Sequence, residues 1–383
     1  MSVHRNCKEM IRKVKRIGHF FFNYLPSLAR FEIIKRIPRT YTCFKYKPQY
    51  VVLNITDNCC FKCIMCDQWK ATKDNELTTR QWKDIFSQFK AEGIKTVAFS
   101  GGEPFLRKDI VELVQCVNHM GMEPVVVTNG YLLNENKIEE TVKAGIKSFS
   151  VSMDAVGDTF DKIRGIKGAF GKVLDSCEII SQYKKQGLVS AYLYFTIMKE
   201  TLGAYRDVFA IARKLDFPLV VNLFDYSPYF FANLKANKDK FWLGENDLQE
   251  LKEFQKFITQ NKEENADSVF HTFAEIEYFR KYFKDPLQKN IACVISQQRL
   301  GVDSQGNAYG GCWSMGSFGN LKDITLKDII NSLRYKIAHK NMFFKSCPGC
   351  SCGYTKNIRN YIPLVFAEVV FRLCPSQRKR IYS

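Results

Sequence analysis

From residue 50 onward the chain alternates short β-rich runs with longer helical patterns, each pair divided by Gly, Asn, Asp or Pro. That alternation leaves one main solution, parallel strands joined by helical crossovers. The strand runs fall at 50–56, 96–100, 123–128, 148–153, 189–197 and 218–223, with helical stretches near 78–92, 109–120, 134–144, 173–186 and 205–215. Several strands are apolar almost throughout, as when both faces of a parallel sheet are covered. Six units are two short of a closed eight-unit barrel. The expected fold is therefore α/β, a six-unit (βα)6 partial TIM-like barrel over 50–223. In such an array the chemistry belongs in loops leaving the C-terminal strand ends, where helix N-termini and free backbone amides converge.

The rest of the chain divides by composition. Residues 1–49 form a basic amphipathic N-terminal segment, and 224–291 a helical connecting region with helical stretches at 245–261 and 273–283. A small cysteine-rich α+β domain follows over 292–355, then a basic C-terminal tail over 356–383. The net charge of +18 sits at the ends: residues 1–50 hold twelve Lys/Arg against Glu9 and Glu32, and 351–383 hold six against Glu368. A nucleic-acid enzyme carries its basic patch on the body of the fold, so no nucleic-acid partner is expected. Basic termini with Ile11, Val14, Ile17, Phe20 and Phe21 at helix-like steps fit either a helix lying on an anionic membrane surface or one packed on the barrel. No run of 18 apolar residues and no signal peptide is present, and the expected location is cytoplasmic, with the termini offering a peripheral contact on the inner membrane face.

Fourteen cysteines in 383 residues are no secreted disulfide framework, and their clustering points to metal in a reducing compartment. Cys59, Cys63 and Cys66 follow the first strand run with the spacing C-x3-C-x2-C. Three thiolates in one short loop can hold three irons of a [4Fe–4S] cube and leave the fourth iron open. A zinc knuckle is the alternative, but it wants a fourth ligand, and no His lies between Cys59 and His119. Cys60 breaks no spacing and is expected to face away.

This triad after the first strand of a βα array resembles the radical S-adenosylmethionine (SAM) superfamily. The later strand ends carry segments similar to that family's: Gly101-Gly102-Glu103-Pro104 after the second, Thr128-Asn129-Gly130 after the third, Ser152-Met153-Asp154 after the fourth, then Arg164-Gly165. The resemblance implies that Gly101, Gly102, Glu103 and Pro104 contact the SAM amino group. It places Ser152 and Asp154 near the ribose, pairs Arg164 with the SAM carboxylate, and puts Thr128 and Asn129 in the same cofactor site. Met65 stands where the family often has an aromatic residue near adenine, and its thioether also packs softly against a ring. A reduced cluster then passes an electron to SAM, and the resulting 5′-deoxyadenosyl radical abstracts a hydrogen atom. A low-potential donor such as flavodoxin or ferredoxin is implied.

The C-terminal cysteines are spaced C-x18-C-x34-C-x2-C-x-C from Cys293 to Cys352. They resemble the SPASM/Twitch auxiliary-cluster domains appended to many radical SAM enzymes, with Asp303–Cys312 similar to their β-hairpin. The resemblance implies one auxiliary [4Fe–4S] cluster held by Cys293, Cys312, Cys347 and Cys350, with Cys352 the alternative for either of the last two places; a zinc ribbon is the other reading. The expected substrate is a small molecule, or a sugar- or lipid-linked precursor. A SPASM-type maturase of a ribosomally made peptide is the alternative, and a non-catalytic zinc protein binding nucleic acid the third.

Overall fold

The computed structural model of the chain describes residues 33, 36–37, 47–71, 74–224, 240–286 and 299–344. Residues 47–271 with 275–356 form one compact unit. A second unit comprises 1–46, 272–274 and 357–383; of it, Ile37 N–H donates to Ile33 O at 2.8 Å in a helical turn. The termini expected to contact a membrane, and Cys293, Cys347, Cys350 and Cys352, lie outside the described residues.

The six foreseen strands form as β1 Tyr50–Thr56, β2 Thr96–Gly101, β3 Glu123–Thr128, β4 Ser148–Ser152, β5 Ser190–Ile197 and β6 Leu219–Leu223. Each pairs in parallel with the next. Between them run helices α1 Thr79–Glu92, α2 Ile110–His119, α3 Glu135–Lys143, α4 Gly157–Arg164, α5 Ala169–Lys185 and α6 Tyr205–Leu215, with α7 Leu248–Glu264 and α8 Phe273–Lys284 beyond β6. Strand alternation sorts the side chains. Val51, Leu53 and Ile55 of β1, Val97 and Phe99 of β2 and Leu193 and Phe195 of β5 are fully buried in one core with Trp82, Phe86 and Phe89 of α1. The opposite face carries smaller or polar residues such as Val52, Asn54, Ala98, Ser150 and Ser152. Helix α4 was not foreseen: its eight residues carry Phe160 and Ile163 as a single buried stripe, too short to show a period.

The C-terminal strands extend the barrel sheet. β7 Arg299–Val302 pairs in parallel with the outer edge of β1, and β8 Asn307–Tyr309 and β9 Ser317–Asn320 follow antiparallel, giving the order β6-β5-β4-β3-β2-β1-β7-β8-β9. The edge of β1 is thereby paired rather than left as an open template. Helices α9 Leu326–Asn331 and α10 Leu333–Phe343 complete this α+β segment. Gln88 of α1 fastens it to the barrel, donating to Leu321 O at 3.2 Å and accepting from Leu326 N at 2.9 Å.

Trp82 is fully buried and stacks on Phe86 at 6.0 Å, and its indole N–H has no partner. Trp82→Ala should cost about 3–5 kcal/mol through the cavity it leaves. Trp82→Phe should cost clearly less, because it also removes the unpaired donor. Urea unfolding of the two variants checks the difference.

Candidate functional site

Because β1 to β6 are parallel, their C-terminal ends share one edge of the sheet, and every proposed SAM-site residue lies there. The cysteine loop starts at Thr56 and is held from below by Glu76. The Glu76 carboxylate accepts from Thr56 Oγ1 at 2.9 Å and from Asp57 N at 2.7 Å. Arg107, paired with Asp109 at 2.8 Å, donates to Ile55 O and Leu77 O at 3.2 Å each. Further along, the loop is zipped to the end of α4: Lys62 N donates to Arg164 O at 3.1 Å and Ile64 N to Ile163 O at 3.0 Å. Extended backbone there alternates its side chains, so Phe61 and Cys63 face inward while Lys62 and Ile64 face solvent.

The loop after β2 lies directly on the cysteine loop. Gly102 N donates to Thr56 O at 2.8 Å and Glu103 N to Asn58 O at 2.7 Å. A Cβ on Gly102 would stand 2.0 Å from Asn58 O, and one on Gly101, whose φ is +117°, would stand 2.4 Å from Thr56 O. These glycines are required for contact with the chain's own backbone. Pro104 then opens a tight helical turn, Pro104–Leu106.

Glu103 is 0% exposed. Its carboxylate accepts from Phe105 N at 3.1 Å, Thr128 Oγ1 at 2.8 Å and Asn129 N at 2.8 Å, joining the ends of β2 and β3. Burial pushes its pKa up to about 7, against those three donors. Asn129 returns to the cysteine loop, its Nδ2 lying 3.3 Å from Cys60 Sγ and 3.9 Å from Cys59 Sγ. Cys60 thus does not face away as expected. Its thiol accepts from Cys59 and Asn129, which pulls its pKa down, while donating to Cys60 and burial push Cys59 up. Burial also raises Cys63, and raises Cys66 to about 11.

Arg164 is buried across the loop. It pairs with Asp154, points Nη1 at Cys63 Sγ from 3.4 Å and lies over the rings of Phe160 and Phe61 at 5.3 and 5.9 Å. Asp154 is fixed by Thr196 N at 2.7 Å. The Nε of Arg164 is buried with no partner. Ser152 and Met65 are half-buried at the same edge.

Among the described residues no three Cys, His, Asp or Glu side chains converge on a single metal ion. A cube makes a different demand, one thiolate for each of three separate irons. The donor set fits that demand: one buried and two half-buried thiols whose surroundings favour the protonated form, in a loop held on both flanks, beside a guanidinium with an unused donor. The structure brings together Cys59, Cys63, Cys66, Glu103, Thr128, Asn129, Asp154 and Arg164. Cys312 is half-buried just after β8. Sequence reasoning missed Glu76, Arg107, Asp57 and Ser304. Asp57 accepts from Gln68 and from Ser304 Oγ, 247 residues away, a separation at which spacing carries no signal.

A carboxyl raised in the folded state favours folding below its unfolded pKa and loses that contribution as pH rises through about 7. In protein without cofactors, Glu103 should therefore cost on the order of 2–3 kcal/mol between pH 5 and 8. Buried His339, held neutral by burial with its pKa lowered to about 4, acts oppositely at lower pH. The test is thus a difference: urea midpoints across pH 5–8 should fall in wild type relative to Glu103→Gln, and parallel curves would refute the assignment.

Comparison with known proteins agrees with this geometry. Residues 53–212 match the Radical SAM superfamily. The Fe-coproporphyrin III synthase of Methanosarcina barkeri is 35% identical over 46% of this chain and 43% of its own length. The PqqA peptide cyclase of Gluconobacter oxydans is 29% identical over 44% of this chain and 47% of its own. The chain thus spans less than half the length of these curated relatives. In fold, it is similar to Streptococcus suis SuiB bound to S-adenosylmethionine, with a TM-score of 0.61 at 14% identity over 85% of this chain and 78% of that one. It is also similar to anSMEcpe with bound AdoMet and a Cp18Cys peptide, with a TM-score of 0.58 at 18% identity over 87% and 99%. Residues 53–212 of this chain are a radical SAM domain.

Proposed function

We propose that the chain is a radical SAM enzyme whose Cys59, Cys63 and Cys66 hold a [4Fe–4S] cluster and whose neighbouring strand-end loops hold SAM. The observation that carries this reading is the convergence of those thiols with Glu103, Asn129 and Arg164 on one edge of the parallel sheet. Bound there, the cluster and SAM would supply one-electron reductive chemistry and the means of taking a hydrogen atom from a substrate. The protein's part is holding and shielding. Arg164 keeps a positive charge beside Cys63 and favours its thiolate; its free Nε suits a carboxylate. Glu103 accepts three hydrogen bonds and keeps acceptor capacity for an ammonium, whose approach would favour its ionised form. Phe61 and Phe160, both buried, keep water from the inner side.

We assign a single auxiliary [4Fe–4S] cluster to Cys293, Cys312, Cys347 and Cys350, with Cys352 as substitute, and the electron to a flavodoxin- or ferredoxin-type donor. The partition into a barrel core at 50–223, a connecting region at 224–291 and an auxiliary domain at 292–355 belongs to the same proposal. For substrate, a small molecule stands first, supported by the porphyrin named in the 35% identical relative. A peptide stands second, supported by the PqqA cyclase. No relative reported above is named for a lipid or sugar, and among the described residues no helix is long and apolar enough to cross a membrane.

Anaerobic reconstitution tests the reading. Wild type should bind about eight irons and form 5′-deoxyadenosine with dithionite, and Cys59→Ala/Cys63→Ala/Cys66→Ala should retain about four and form none. Four irons in wild type would remove the auxiliary cluster, and none would remove the proposal. Mass spectrometry after incubation with a carboxylated porphyrin or with short peptides separates the two substrate classes.

A further inference from the structure

The cysteine loop turns one side to solvent, and that side is basic. Lys62 and Ile64 alternate with buried Phe61 and Cys63, so both project away from the thiols. Ile64 is 38% exposed, one residue from Cys63 and two from Cys66. Through Lys62 N and Ile64 N the loop is bonded to Arg164 O and Ile163 O, which brings the end of α4 against it. A Cβ on Gly165 would stand 3.5 Å from Lys62 Cβ, so the turn after α4 lies beside the Lys62 side chain. That turn carries Lys167, and the last turn of α4 carries Lys162; all three lysines are exposed. At Gly168, which ends the turn, a Cβ would meet nothing within 4 Å, so the face is open there.

The acids of the same stretch do not answer these charges. The Asp161 carboxylate turns to the start of α5, accepting from Gly168 N and from Phe170 N at 2.8 Å. Asp158 lies one turn before Lys162 on α4, yet no ion pair joins the two. Asp154 is spent on Arg164, and Asp67 on Lys70 at 2.7 Å. Among the described residues the ammonium groups of Lys162 and Lys167 have no hydrogen bond or ion pair, and that of Lys62 lies only over the Trp69 ring, at 5.9 Å. Three uncommitted cations therefore border one exposed apolar side chain directly outside the thiols. They are too few to track a nucleic-acid backbone, which takes roughly six to ten phosphate contacts. Electron-transfer encounters between proteins use small interfaces, and opposite charge steers them.

We propose that Lys62, Lys162 and Lys167, around Ile64, form the docking surface for the electron donor, a one-electron carrier protein with an acidic face. This deepens the functional reading above and rests on it, since the donor would sit outside the thiols which that reading assigns to the cluster. One electron leaves the carrier, which is oxidised, and enters the cluster, which is reduced; no bond forms or breaks. The lysines steer the encounter, and contact at Ile64 brings the carrier up to the segment that holds Cys63 and Cys66.

The test is binding of oxidised plant-type ferredoxin and of oxidised flavodoxin, two acidic carriers, to the reconstituted protein, by biolayer interferometry at low salt and at about 0.5 M salt. Circular dichroism confirms that each variant is folded. Lys162→Glu/Lys167→Glu should weaken binding of at least one carrier by about tenfold or more at low salt, Lys62→Gln by a smaller factor, and high salt should erase the difference. Lys90→Glu/Lys185→Glu makes the same change of net charge in the last turns of α1 and α5, at the opposite edge of the sheet. It should leave binding within about threefold of wild type. Carrier-driven formation of 5′-deoxyadenosine should fall with binding in Lys162→Glu/Lys167→Glu, while the dithionite-driven rate holds, because dithionite needs no docking surface. Equal weakening by the two double variants, salt-independent binding, or binding of neither carrier overturns the proposal. Weakening by Lys327→Glu/Lys336→Glu, on α9 and α10, with none by Lys162→Glu/Lys167→Glu moves electron entry to the C-terminal segment and overturns it as well. So does a wild type that binds anionic vesicles or duplex DNA through these lysines and neither carrier. If Lys162→Glu/Lys167→Glu does not fold, Lys62→Gln decides, and an unchanged affinity is fatal. Wild type that binds a carrier through these lysines but forms no 5′-deoxyadenosine with dithionite removes the functional reading and leaves the docking surface; wild type that cleaves SAM with dithionite but binds carriers independently of the lysines removes the docking surface alone.

Discussion

Backbone lying on backbone, where Gly101 and Gly102 meet residues 56–58, is the contact on which the rest of the site depends. Any side chain at Gly102 would reach 2.0 Å from Asn58 O, so no other residue lets β2 end against the cysteine loop. The next residue, Glu103, ties the β2 end to the first amide beyond β3, and Asn129 there carries its side-chain amide back to Cys60. Three strand ends are thus closed into a ring of hydrogen bonds. On the far side α4 zips to the same loop through Lys62 and Ile64, so the thiols sit on a segment fixed from two directions.

Holding charge in such a ring is costly, and the arrangement of partners shows how the cost is offset. Arg164 and Asp154 are both almost fully buried and pair with one another, with Thr196 N donating to the second carboxylate oxygen and the Arg164 Nε left over. Among the described residues Glu103, on which Lys137 acts only from a distance, makes no such ion pair. It meets three neutral donors, and burial still wins, which leaves its pKa near neutrality. The Cys59, Cys63 and Cys66 thiols lean the same way, toward the neutral form, and Cys60 leans the other way. A cationic occupant beside Glu103 and these thiols favours their ionised forms.

The fold was legible because its signals are local. Alternation of YVVLNIT, EPVVVT and SAYLYFTI with helical stretches placed all six parallel strands within two residues. The cysteine spacing and the strand-end segments were readable for the same reason, since each sits within a dozen residues. What escaped depends on long-range pairing. Ser304 reaching Asp57, and β7 choosing the edge of β1, leave no trace in spacing. Cys60 failed differently: adjacent side chains in extended backbone point apart, but the turn at 59–60 leaves that geometry, and the Asn129 amide draws the second thiol inward.

Strand β7 gives the C-terminal segment a purchase on both ends of the barrel edge. Its first residue, Arg299, pairs with Tyr50 at the start of β1; just past its last, Val302, the turn at Asp303–Gly306 packs where β1 ends. There Ser304 Oγ donates to Asp57, the residue that opens the cysteine loop, and Ser304 O accepts from Leu77 N at 2.8 Å, beside the Glu76 that braces the same loop. The four residues of β7 pair with the first four of β1, and the turn that follows covers the rest of that edge. Ladder bonds to β1 fix the register of that span. The same register therefore sets where Ser304 meets Asp57, and the cysteine loop begins at that contact.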